Sequence, residues 1–140
     1  NDRGLLCVEV PNDYNIMQKS AARSLKLDHW WLSPPFHINY FNFSSLINLL
    51  ERNNFKVFLK ESSFPLELFL LMGDNYIGND KLGRLCHTKR KKIEINLKKT
   101  NLNELKRKLY QYFADIGIGR QVILYASKEK ILKNSTKKEL

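Results

Sequence analysis

Cysteine is scarce in this chain, and its placement excludes most of the chemistry cysteine brings. The 140 residues hold two, Cys7 and Cys86, far apart and in neither a CxxC pair nor a Cys/His cluster. Neither a disulfide framework nor a thiolate metal site is expected, and a reducing, cytoplasmic setting fits best. Long hydrophobic runs are also missing. Every apolar stretch is strand-sized and broken by charge well short of the about 18 residues of a membrane helix. Asp2 and Arg3 lead into no long apolar segment of the secretory kind. The expectation is a soluble protein with no membrane partner. Glycine is sparse as well, with six residues, and no glycine-rich turn follows a predicted strand. Gly117-Ile118-Gly119-Arg120 holds the only GxG, and it precedes a strand where a nucleotide fingerprint follows one. No internal repeat or low-complexity tract interrupts the chain.

Acidic residues are outnumbered, 14 against 24 Lys and Arg, for a net charge of +10. Such a surplus draws phosphate backbones through counterion release. The charge concentrates between Arg84 and Lys108 and in the tail from Lys128, while residues 1–75 are nearly balanced. A nucleic-acid surface would need Lys89 to Lys92 and Lys98 to Lys108 to share one face and would bind with steep salt dependence. The competing reading is a solvated helix face. With 43% hydrophobic residues, the chain can bury the core of one ordinary domain.

The element order follows from period and punctuation. Leu5 to Val10 is a nearly continuous apolar run stopped by Pro11, the pattern of a largely buried strand. Asn12, Asp13 and Asn15 offer turn and capping oxygens before a helix over Ile16 to Leu25. Lys26 to Pro35 is a polar and aromatic loop stiffened by Pro34-Pro35. Leu46, Ile47, Leu49 and Leu50 recur at helical spacing after an N-cap at Asn42 or Ser44, and Asn53-Asn54 ends that helix. Lys56 to Ser62 alternates imperfectly as a strand. A short apolar helix starts with Pro65 in its first turn and stops at Gly73. A basic helical segment spans about 79–98. A further helix runs from Leu102, with Asn101 and Glu104 as a capping-box-like start, and Gly117 and Gly119 end it. Arg120 to Ser127 is a buried strand, and the lysine-rich tail 129–140 has little to hold it in order.

Four motifs in that order carry a resemblance: Pro11-Asn12-Asp13-Tyr14-Asn15, His37-Ile38-Asn39-Tyr40-Phe41, Ser63-Phe64-Pro65-Leu66-Glu67 and Met72-Gly73-Asp74-Asn75-Tyr76. With the strand order, they resemble the C-terminal half of a class I S-adenosylmethionine-dependent methyltransferase, in a bacterial subgroup whose substrate the motifs do not name. The resemblance implies an α/β fold, the C-terminal half of a Rossmann-like sheet of three main strands. The last strand returns antiparallel between the other two, and a helical insertion occupies about 64–116 of a portion spanning 1–128. It implies S-adenosylmethionine as cofactor of the complete protein, and the missing N-terminal half of the same domain as this chain's partner. The glycine-rich turn and ribose-binding acid of the family are both lacking here, so this chain alone is expected to be inactive and its cofactor contacts stay unassigned. The start at Asn1 without methionine is expected from a truncated product, and an exposed sheet edge would invite a homodimer.

Methyl transfer needs an acceptor held in line, a dry pocket and sometimes a base. His37 is the base candidate, presented by the adjoining prolines; its competing role is to cap or brace the next helix. Asn12, Asp13 and Tyr14 leave a strand end where open sheets bind ligands, although turn chemistry alone also selects Asn and Asp there. Trp30, Trp31, Asn39, Tyr40 and Phe41 are candidates to wall a pocket for a small-molecule or glycan acceptor, core packing being the alternative for the aromatic rings. Asp74, Asn75, Tyr76, Arg84, His87 and Arg90 form a second polar cluster if the insertion folds over the site. Arg84 and Arg90 would then grip a phosphate or carboxylate. Otherwise they belong to a solvated helix face. Phe64 to Met72, if exposed, would instead serve a protein-interaction domain without chemistry.

Overall fold

A computed structural model describes residues 4–128, so the expectation for the 129–140 tail lies outside the described residues. Eight elements follow one another: β1 (Leu5–Pro11), α1 (Ile16–Leu25), α2 (Phe43–Arg52), β2 (Phe55–Ser62), α3 (Glu67–Leu71), α4 (Asp80–Lys99), α5 (Asn103–Asp115) and β3 (Gln121–Lys128). The class is α/β. The three strands form one sheet in the order β1-β3-β2, with β3 antiparallel to both neighbours. β1 and β2 therefore run parallel and end on the same side of the sheet, beside the start of β3. No described helix is long and apolar enough to cross a membrane.

The core lies on one face of the sheet. Val122, Leu124 and Ala126 of β3 are fully buried, and Phe43, Leu46 and Leu50 of α2 pack on them, with Leu6, Val8, Val10 and Val57 around the rim. The alternation in β3 is a clean period of two. The imperfect alternation in β2 has a physical cause. A bulge lies between Val57 and Leu59, so that Val57 opposes Ala126 while Leu59 opposes the next residue along β3, Tyr125. Val57 and Leu59 consequently face opposite sides of the sheet. Lys60 and Glu61 also point to opposite faces, yet both reach α5. The Lys60 amine lies 2.9 Å from Asp115, and Glu61 accepts from Arg107 at 3.0 Å and Gln111 at 3.2 Å. α5 thus runs along the outer edge of β2 and covers it. β1 has no strand on its other side among the described residues, and its Leu5, Cys7 and Glu9 face solvent.

Helix ends follow the local chemistry, with two departures. Asn15 caps α1 and Asn42 caps α2, each in a reciprocal capping box with Gln18 or Ser45. Asn54 takes the left-handed conformation that stops α2. Asn101 was expected to start α5, but it stands at φ 60 and instead ends α4. Its N–H donates to the Lys98 carbonyl and that of Leu102 to the Leu97 carbonyl, the paired bonds of a Schellman stop. α5 then begins without a side-chain cap. The apolar run Phe64 to Met72 contains only a five-residue helix, α3, which starts after Pro65 rather than around it. Phe69 and Leu70 of α3 are buried, and the helix packs on α1. Most of this run is therefore spent inside the molecule.

Candidate functional site

The site begins where β1 ends. Asn12 is fully buried, and its amide donates to the carbonyls of Gly117 and Gly119 at 3.1 and 3.0 Å. Its backbone N–H donates to Arg120, and the next N–H, of Asp13, donates to the Phe41 carbonyl at 2.7 Å. The turn after β1 is thereby tied both to the start of β3 and to the entry of α2. Gly119 is required at this crossing: φ is +104, and a Cβ would overlap Ser62 Oγ and come within 2.5 Å of the Ser63 carbonyl oxygen. Ser62 Oγ itself donates between the Ile118 and Gln121 carbonyls at 2.9 and 2.7 Å.

This scaffold presents Asp13 and Tyr14. Asp13 is 6% exposed, and burial raises its carboxyl above the usual range, opposed by the nearby His37 charge and a hydrogen bond from Gln18. Tyr14 sits at φ 57, an uncommon conformation for a bulky residue. That turn brings its ring against three others. Trp31 lies edge-to-face at 5.5 Å, His29 at 6.1 Å and Tyr40 at 6.3 Å between ring centroids. His29 stacks on Trp31 at 4.6 Å, and Trp30 meets Trp31 edge-on at 4.9 Å. The Tyr40 hydroxyl accepts the Ser33 N–H at 3.0 Å, bracing the loop that contains the cis Pro34-Pro35 bond. The His37 N–H donates to the Ser33 carbonyl, and the His37 side chain is exposed at the lip, as is that of Asn39. Asn12, Asp13, Tyr14, Trp30, Trp31, His37 and Tyr40 thus belong to one end of the sheet. His29 joins them without having been singled out. Only its place two residues before Trp31 hinted at the stack.

The second set is divided. Tyr76 lies among Glu67, Cys86 and Arg120; burial, then the Glu67 and Cys86 charges, push its hydroxyl well above its ordinary value. Glu67 is 4% exposed, raised by burial against a backbone hydrogen bond and the pull of Arg120, and its Oε2 has no partner among the described residues. His87 is held below its ordinary value by burial and then by the charges of Arg90, Lys91 and Arg120. Tyr76 and His87 therefore share the field of Arg120, beside the Asn12 turn. Asp74 instead pairs with Lys89 at 3.0 Å, and Asn75 accepts the Ile77 N–H within its own turn. Arg90 pairs with Glu94 at 3.0 Å, whose same oxygen accepts the Tyr110 hydroxyl at 2.7 Å. Arg84 is exposed and lines a shallow groove with Asn79, Lys81, Leu82, Leu85 and Thr88. Glu67 and Arg120 are not among the site candidates read from sequence: nothing in their neighbours marks one as buried and the other as a shared cation. Comparison with protein-family models, with curated proteins and with solved structures finds no match to this chain.

Proposed function

We propose that this chain is the acceptor-binding, C-terminal part of an S-adenosylmethionine-dependent methyltransferase of the cytoplasm, acting on a small molecule or glycan. One observation carries the reading: two parallel strands flank an antiparallel one, with a buried carboxylate, a histidine and an aromatic wall gathered beyond the carboxyl end of β1. That end is where open α/β sheets receive ligands. The open outer edge of β1 supports a further strand beside it, contributed by the N-terminal half of the same domain; a second copy of the chain is the competing partner.

The described residues do not build a site for the cofactor itself. Gly117 and Gly119 lead into a strand, and their carbonyls are spent on Asn12. When bound elsewhere in the domain, that cofactor would supply an electrophilic methyl group. This chain's residues serve the acceptor. The aromatic wall orients it and excludes water, and His37, within the field of Asp13, takes a proton from its nucleophilic atom. The alternative, a nucleic-acid module on the basic helices, has less behind it. Lys89, Arg90, Arg107 and Lys108 each hold a carboxylate already, those of Asp74, Glu94, Glu61 and Glu104.

The test is calorimetry of the intact protein with S-adenosylhomocysteine, with single-stranded and duplex nucleic acid titrated alongside at two salt concentrations. Saturable cofactor binding, and methyl transfer lost in His37→Ala with binding retained, is the expected result. No cofactor binding, with salt-dependent nucleic-acid binding in its place, would overturn it.

A further inference from the structure

The geometry points to a neutral, hydroxyl-rich ligand of the saccharide class as the acceptor seated on the aromatic wall of Tyr14, Trp31 and Tyr40. This inference rests on the acceptor-site reading above and narrows it to one kind of molecule.

The ring geometry decides between the flat and the sugar-like acceptor. A planar aromatic ligand is best held in a slot between two parallel rings. Here Tyr14 meets Trp31, His29 and Tyr40 at 81°, 83° and 78°, so no such slot opens around it. The one parallel pair, His29 and Trp31, is already closed on itself at 4.6 Å and 20°. What remains is a single aromatic surface, with Tyr14 37% exposed and Trp31 and Tyr40 partly so. Single rings suit a pyranose, whose faces present axial C–H bonds and whose equatorial hydroxyls project from the rim.

The polar groups beside the rings fit those hydroxyls. The Asp13 carboxyl group accepts from hydroxyls, and the exposed His37 stands near it. The Trp31 indole Nε1–H is buried with no acceptor among the described residues, an unmet donor that a ligand hydroxyl would satisfy. Charge argues for a neutral ligand. No guanidinium or ammonium pairs with Asp13 among the described residues. Arg90, one of the two arginines offered for a phosphate on the insertion, is engaged by Glu94. The Tyr14 backbone adds an independent sign, because a bulky residue held at φ 57 is strained and such strain gathers at ligand sites.

The two tryptophans of the chain, Trp30 and Trp31, are both in this cluster. Indole emission of the intact protein, read as a difference between wild type and Trp31→Phe, isolates the site. The probes are methyl β-glucopyranoside, N-acetylglucosamine and cellobiose, with p-hydroxybenzoate as the flat anionic comparison, each also followed by calorimetry at millimolar concentration. The expected result is a saturable response to at least one saccharide. Trp31→Phe, which leaves a smaller aromatic ring and deletes the N–H, weakens it about tenfold by calorimetry, and Tyr14→Ala weakens it at least as much. Circular dichroism of each variant separates lost binding from lost folding, and Trp31→Phe is the variant that decides if Tyr14→Ala does not fold. Saccharide silence, or a response to p-hydroxybenzoate alone, overturns the inference. S-adenosylhomocysteine in the same calorimeter keeps the two claims apart. Cofactor binding without saccharide binding removes only the acceptor class, and saccharide binding without cofactor removes the transferase reading.

Discussion

Replacing Gly119 with alanine tests how the turn beneath the site is held. The added methyl must enter a space already filled by Ser62 Oγ and the Ser63 carbonyl, and the backbone must keep φ at +104, where a side chain is strained. The backbone conformation costs about 1–3 kcal/mol and the overpacking about 1–3 kcal/mol more. Because Gly119 O also accepts from Asn12, any shift that relieves the clash loosens that bond too. The combined loss is on the order of 2–6 kcal/mol, a large part of the about 5–15 kcal/mol that holds a domain folded. Urea unfolding followed by circular dichroism reads it as a lower midpoint at unchanged slope. A double-mutant cycle sharpens the reasoning. Ser62→Ala removes the hydroxyl that the new methyl would strike, so the pair must cost less than the sum of the singles by about 0.5–3 kcal/mol. A Gly119→Ala loss under about 1 kcal/mol, or strict additivity with Ser62→Ala, would refute the contact as described.

Two more outcomes bear on the same end of the sheet. Asn12→Ala strands the Gly117 and Gly119 carbonyls that its amide serves and should cost about 2–4 kcal/mol; Asn12→Asp should cost more at neutral pH, because it turns a carboxylate toward two carbonyl oxygens, and should recover part of the loss in acid. Burial raises the folded-state pKa of Glu67, so the native state binds its proton more tightly than the unfolded chain does. Stability therefore falls as pH rises from the unfolded carboxylate's range through the raised folded value, and the penalty is complete above it. Glu67→Gln should flatten that descent, leaving the variant more stable than wild type at neutral pH and nearly equal in acid; chemical denaturation across pH measures the difference, and an unchanged slope would contradict the assignment.

Much of the architecture was legible because local and global preferences agree. The stop at Pro11, the Asn42 cap and the glycines after α5 each sit where an element begins or ends. Asn101 was misread because a capping pattern and a left-handed stop use the same residue type, and only the preceding turn of α4 decides between them. The β2 bulge was invisible for a similar reason. An extra residue in a strand shows itself only against its partner, and that partner, β3, lies far along the chain. Within the site, the Asn12-Asp13-Tyr14 turn was readable from its position after a strand. The Tyr14–Trp31 contact and the sharing of Arg120 by Tyr76 and His87 depend on which loops meet, and local spacing does not encode that.

The central strand of the sheet is also the last to be made. Among the described residues β1 and β2 are not hydrogen-bonded to each other; each pairs with β3, and Leu5 at one end of the described chain finds its partner in Ser127 at the other. While a ribosome works through the intervening helices, both early strands carry unpaired backbone and half an apolar core. The sheet therefore closes only after synthesis has passed β3, with slow, long-range pairing as the expected rate-limiting event. Until then, any exposed strand edge nearby is a competing partner.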